Sequence, residues 1–354
     1  MTSNATLFRA VLAAMPLAGA AVPAHAQFSY DPKQYSIVSG ILECKDAQRS
    51  ECVVRNMPLV SQTDPRLDPD LKDMAGVGCY DTSIVTVIAT ALANRSPAAP
   101  QLTGRTRQFD AVEPGKDKVG NVVPKIVKQL ELEYHFARTH QQQRVVQKTN
   151  VVQPLYFHEV VADLAGKRIR QNCDPYTYGN CSQVTAANGI ADARRVFLSK
   201  SNPINNQTII DAMKQNYVTM IAYSRYKASV TYDRTTKVLT VGLTNINAAH
   251  KVVFSGFTSG ALPLVINDVG NARRYRVTLS NDLAQLRFAD PAVHGTVPIS
   301  KVVFPPELLG RTHIIYDNQY DLINPMIMIV DHYDTLRIDP GKAPDQAASA
   351  RPAG

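Results

Sequence analysis

Beyond its first 26 residues the chain has no apolar run approaching the roughly 18 residues that a membrane-crossing helix needs. Stable membrane insertion by a helix is therefore not expected of the remainder. Dense Lys/Arg runs interleaved with aromatic side chains are missing, as are RNA-binding signatures and zinc-finger spacings. The formal charge of +8 accordingly reads as a solvated basic surface and not as a nucleic-acid site. "HEVVA", from His158, lacks the second histidine of a zinc-protease motif, so no metal is implied. No organic cofactor is implied either, and no internal repeat is visible.

The one short apolar run, Ala10 to Val22, lies near the start. Arg9 precedes it, and Ala24 and Ala26 put small residues where a signal peptidase reads. Residues 1–26 are thus expected to be a signal peptide cleaved after Ala26, which implies a periplasmic or secreted protein. Pro16 and Pro23 and the lack of a stop-transfer pattern argue against an anchor helix. An oxidising compartment favours paired cysteines, and the chain has an odd number, five. The simplest pairing joins Cys44 to Cys52 and Cys173 to Cys181, each across a polar interval that suits a surface loop. Each bond would contribute about 2–3 kcal/mol by closing its loop. That pairing leaves Cys79 alone.

The elements read as helix-leaning first and strand-rich later. Residues 27–70 look irregular, with short extended pieces, and 93–118 reads as a long surface loop. Helical spacing appears over 123–136, 157–171 and 205–216. From 217 to 280 short β-prone runs alternate with turn chemistry. The fold class expected is α+β, in one domain over 27–336, with a disordered tail at 337–354.

Cys79 stands in "MAGVGCYDTSIVTVIA", just before an apolar stretch. Ile84, Val87, Ile88, Ala91 and Leu92 fall on one helical face. A helix starting near Cys79 would place its thiol among free N–H groups that favour the thiolate. The five β-branched residues 84–88 favour a strand on local propensity. Helix is still the preferred reading, because burial overrides propensity. A nucleophilic thiol also needs a base. Of eight histidines, His250 opens the strand "HKVVFSGF", and the next strand, "LVIND", ends in Asn267 and Asp268. Adjacent antiparallel strands would bring one of these two beside the imidazole, and alternation allows only one.

This order resembles that of papain-like cysteine peptidases, nearest to the bacteriocin-processing bacterial group. The likeness rests on "GVGCYDTS", then "HKVVFSGF", then "VIND", and covers 60–93 and 208–280. It implies a helical N-terminal lobe, with a central helix bearing the cysteine, packed on a C-terminal antiparallel sheet. It implies Cys79 as nucleophile, His250 as general base and Asp268, or else Asn267, as orienter. Where the family carries an oxyanion-holding glutamine this chain has Asp73, and Gln62 is the nearest upstream substitute. Tyr80 replaces a common tryptophan, and residues 94–207 match nothing in the family. The resemblance implies an exported thiol hydrolase acting on a peptide or protein substrate through an acyl-enzyme. A transglutaminase-like acyltransferase and a catalytically inactive binding or adhesion module are the alternatives.

Overall fold

The computed structural model describes residues 27–62, 78–96 and 190–340, apart from 284–286, 291–292, 294, 317–318 and 324. The signal peptide and the Cys173–Cys181 pairing expected from the sequence, Asp73, and the helices expected at 123–136 and 157–171 lie outside the described residues.

Two long strands form the frame. Strand β5 (Tyr217–Asp233) and strand β6 (Val238–Phe257) pair antiparallel as one hairpin. Each joins runs that the sequence reading took as separate short strands. The Asp233 carboxylate closes their turn by accepting from the N–H groups of Thr235 and Thr236. On one side β5 pairs with β14 (Met326–Ile338), which pairs with β12 (His313–Ile315) and then β8 (Arg273–Ser280). On the other side β6 pairs with β7 (Leu264–Asp268), and β7 pairs with β8. The path β6-β5-β14-β12-β8-β7 therefore returns to β6, and six strands close a barrel. Register shifts at Arg225/Tyr226, Phe254/Gly256 and Val330/His332 mark bulges, which bend strands as closure demands.

The remaining strands extend this frame. Strands β1 (Ile37–Ser39), β2 (Leu42–Cys44) and β3 (Cys52–Val54) form a meander that joins the sheet where β3 pairs with the end of β6. A Cβ at Gly256 would run into the Cys52 carbonyl, so this junction needs a glycine. Strand β4 (Ile190–Phe197) pairs with β14, and β11 (Lys301–Val303) with β6. Strands β9 (Arg287–Asp290), β10 (Gly295–Thr296) and β13 (Gln319–Asp321) make a separate small sheet.

Two α-helices accompany the strands among the described residues. Helix α1 (Gly78–Asn94) packs on β6, β5 and β14. Its β-branched run is helical because it is buried: Ile84, Val87, Ile88, Ala91 and Leu92 all lie in the main core. Three of its polar side chains bond back within the helix. Thr86 and Thr90 donate to the carbonyls four residues back, as does the Asn94 amide. Helix α2 (Asn206–Lys214) falls within the helical run expected over 205–216, and Asn205 and Thr208 form a reciprocal capping box at its start.

The expected α+β architecture with a helical N-terminal lobe is overturned. The described chain is mostly strand, with a closed six-stranded barrel and only two short helices. Residues 37–54 contribute strands to the sheet, and their three-residue lengths are too short to show a period in the sequence. Strand β14 also carries through Arg337 and Ile338, the first two residues of the expected tail.

Cys44 and Cys52 are bonded, as the spacing suggested. They are not surface residues, however: they sit opposite each other on β2 and β3 and are fully buried. Only the polar interval between them reaches solvent as a turn.

Candidate active site

Strand register assembles the site. His250 on β6 lies directly opposite Tyr223 on β5, so both side chains project from the same face. Asp268 on β7 lies opposite Val252, two residues beyond His250, and so shares that face diagonally. The result is a hydrogen bond of 2.8 Å between His250 Nε2 and Asp268 Oδ1. The Gly270 N–H donates to the same carboxylate oxygen at 2.8 Å. Asn267 occupies the other face, where its amide donates to the Pro58 carbonyl and its oxygen accepts from Arg274 Nε. Alternation thus selects Asp268 over Asn267 as the partner of the imidazole.

Cys79 enters from α1, in the first turn of the helix. It is a free thiol, not fully covered. Its sulfur is hydrogen-bonded to the His250 side chain and accepts from the Lys251 main-chain N–H. With Nε2 engaged by Asp268, Nδ1 is the imidazole nitrogen left for the sulfur. Cysteine, histidine and aspartate therefore form one chain of contacts, although they come from three separate elements.

The electrostatics favour charge separation along that chain. Burial pushes the Cys79 thiol up, but the His250 contact and the Lys251 N–H and charge outweigh it, and its pKa is lowered. For His250 burial again opposes the charge. Tyr223, Asp268 and Cys79 outweigh it, and its pKa is raised well above the usual histidine range. Burial would also raise Asp268, yet His250, the Gly270 N–H and Arg225 hold it below the ordinary carboxylate value. All three shifts favour the charged forms: thiolate, imidazolium and carboxylate.

Gln62 is drawn to the same end of the barrel. Its N–H donates to the Val269 carbonyl at 2.7 Å, one residue past Asp268. Two other described histidines stand apart. His313 is buried against the Leu308 carbonyl, and burial pushes its pKa down to about 4. His332 lies on β14 beside Asp334. Among the described residues no group of three or more His, Cys, Asp or Glu side chains is placed to hold a metal.

Several neighbours were not legible in the sequence. Tyr223 meets the His250 ring edge-on at 5.6 Å, and its hydroxyl bonds to that of Tyr316 at 2.8 Å. Lys251, on the opposite face from His250, is buried and paired at 2.8 Å with the fully buried Asp334. A lysine inside "HKVVF" was the signal available, since an unpaired charge there would be costly. Gly270 touches the site most closely. A Cβ there would sit 3.0 Å from Asp268 Oδ1 and 3.4 Å from His250 Cε1. Gly270→Ala is expected to displace the carboxylate from the imidazole. Any Cys79-dependent turnover should then fall about tenfold, corresponding to about 1.4 kcal/mol in the barrier. Steady-state kinetics beside a melting curve checks this, since the melting temperature should move little.

Comparison of the chain with protein-family models, with curated proteins and with solved structures finds no match.

Proposed function

We propose that the protein is a thiol hydrolase that cleaves peptide or amide bonds through Cys79, His250 and Asp268. One observation carries this reading: a free cysteine sulfur at a helix N-terminus is hydrogen-bonded to an imidazole whose other nitrogen is held by a buried carboxylate. The order cysteine, histidine, aspartate, shared with papain-like cysteine peptidases, supports it further. The Cys44–Cys52 disulfide and the leader-like pattern of residues 1–26 support action outside the cytoplasm.

The proposed steps follow from the charge state. The Cys79 thiolate attacks the carbonyl carbon, a C–S bond forms, and the carbonyl electrons move onto oxygen. The Cys79 main-chain N–H, in the first turn of α1, is one donor for that oxyanion. His250 then delivers its proton to the departing amine as the C–N bond breaks. Water attacks the thioester with His250 taking its proton, and the thiolate leaves as the acid is released. An amine in place of water would give acyl transfer by the same steps. Asp268 keeps the imidazole oriented and balances its charge throughout.

Alkylation by iodoacetamide tests the reading without a known substrate. Cys79 should label well below about pH 8.5, where an ordinary thiol titrates. His250→Asn should raise the Cys79 pKa toward that value, because the group favouring the thiolate is gone. If wild-type Cys79 labels only along the ordinary thiol curve, or not at all, the hydrolase reading fails. A binding module would then be left.

A further inference from the structure

We propose that Arg225 is the carboxylate-recognition residue of this site: its guanidinium binds a substrate carboxylate a few bonds from the carbonyl that Cys79 attacks. The proposal rests on the thiol-hydrolase reading above. Arg225 follows Tyr223 by two residues on β5, so the two side chains leave the same face, the one that carries His250 and Asp268. Its guanidinium carbon lies 5.9 Å from the centroid of the Tyr223 ring, which itself contacts the His250 ring. The side chain donates to the Tyr223 hydroxyl, and that hydroxyl is fixed in turn by Tyr316. One side of the planar fork is thereby held in place.

Among the described residues no carboxylate lies within ion-pair distance of Arg225. Asp268, the acid whose charge it feels, already accepts from His250 and Gly270 through Oδ1. The residue is half-buried, so part of it is open to a ligand. A guanidinium taken partly out of water gains little structurally without a carboxylate, and an apolar residue would pack against Tyr223 more cheaply. Arginine presents several donors in a rigid plane, which suits bidentate capture of a carboxylate and not of a neutral amide. The substrate class inferred is a peptide or amide with a free carboxylate beside the scissile bond, either a chain terminus or an acidic side chain.

Labelling of Cys79 in the full-length protein with a set of matched reagents tests this. N-Iodoacetylglycine and its β-alanine homologue place a terminal carboxylate at two distances from the reacting carbon. The α-amide of N-iodoacetylaspartate offers a side-chain carboxylate, and the corresponding carboxamides are the neutral controls. At low, fixed ionic strength at least one carboxylate reagent should outrun its carboxamide by about tenfold, with Arg225→Gln cutting that ratio severalfold and Arg225→Lys lying between. The His250 imidazolium attracts anions in every variant, so the change on substitution is the informative quantity. Whichever carboxylate shows the larger change identifies the source. A ratio the same in wild type and Arg225→Gln overturns the proposal, as does a loss shared equally by carboxylate and carboxamide reagents. If none of the reagents labels Cys79 below the ordinary thiol range, the hydrolase reading falls and takes this inference with it.

Discussion

Cys79→Ala should reduce hydrolysis by at least about 10⁴-fold, the loss expected when the nucleophile of a triad is removed. The fold should survive. The thiol is only partly covered, while the core of α1 is built from Ile84, Val87, Ile88 and Leu92. Circular dichroism and thermal melting separate the two effects. The variant also carries a pH signature. His250, raised above its unfolded value, contributes stability fully present below about pH 6.5 and lost as pH rises through the folded value. Asp268, lowered, contributes stability present above about pH 4 and lost as pH falls through its depressed value. Removing the sulfur takes one support from the imidazolium, so the alkaline loss should begin at lower pH in Cys79→Ala. The acid side should be unchanged.

The largest effect on stability is expected at Lys251 and Asp334. Lys251 reaches across β5 from β6 to β14, and the pair is 2 % and 0 % exposed at 2.8 Å. Asp334→Ala would leave an ammonium inside the protein with its main partner gone, at a cost of about 3–5 kcal/mol. The double variant Lys251→Met with Asp334→Leu should recover most of that, because packed apolar side chains replace both charges. Urea denaturation of the three proteins checks the pattern, and equal losses in single and double variants would contradict it. The pair also bears on chemistry. The Lys251 main-chain N–H that bonds the Cys79 sulfur is kept in the double variant, but the positive side chain is not. The pH limb for alkylation should therefore move upward less than in His250→Asn.

The parts of the site that a strand's two-residue period decides were legible from the sequence. That only one of Asn267 and Asp268 could face the imidazole is such a case, whereas which one it is follows from the β6–β7 register: Asp268 faces the imidazole and its neighbour faces Pro58. The Cys44–Cys52 bond and the helix within 205–216 were legible because each depends on residues close in the chain. What escaped depends on partners far away. That Tyr223 lies opposite His250 follows from the β5–β6 register, which a bulge at Arg225/Tyr226 shifts. Barrel closure needs β7 to pair with both β6 and β8 and β12 to bridge β8 and β14, and no local pattern announces either. The short extended pieces expected within residues 27–70 include three strands too short to alternate visibly, so their place in the sheet was not legible.

Cys79, the proposed nucleophile, rides on α1, whereas His250 and Asp268 ride on β6 and β7, far along the chain. Before the chain folds the thiol is an ordinary, weakly ionised one, because its imidazole lies far along the chain. Only when the hairpin and β7 have closed against the helix does the sulfur gain its imidazole. The onset of rapid iodoacetamide labelling should therefore mark the moment at which tertiary assembly is complete.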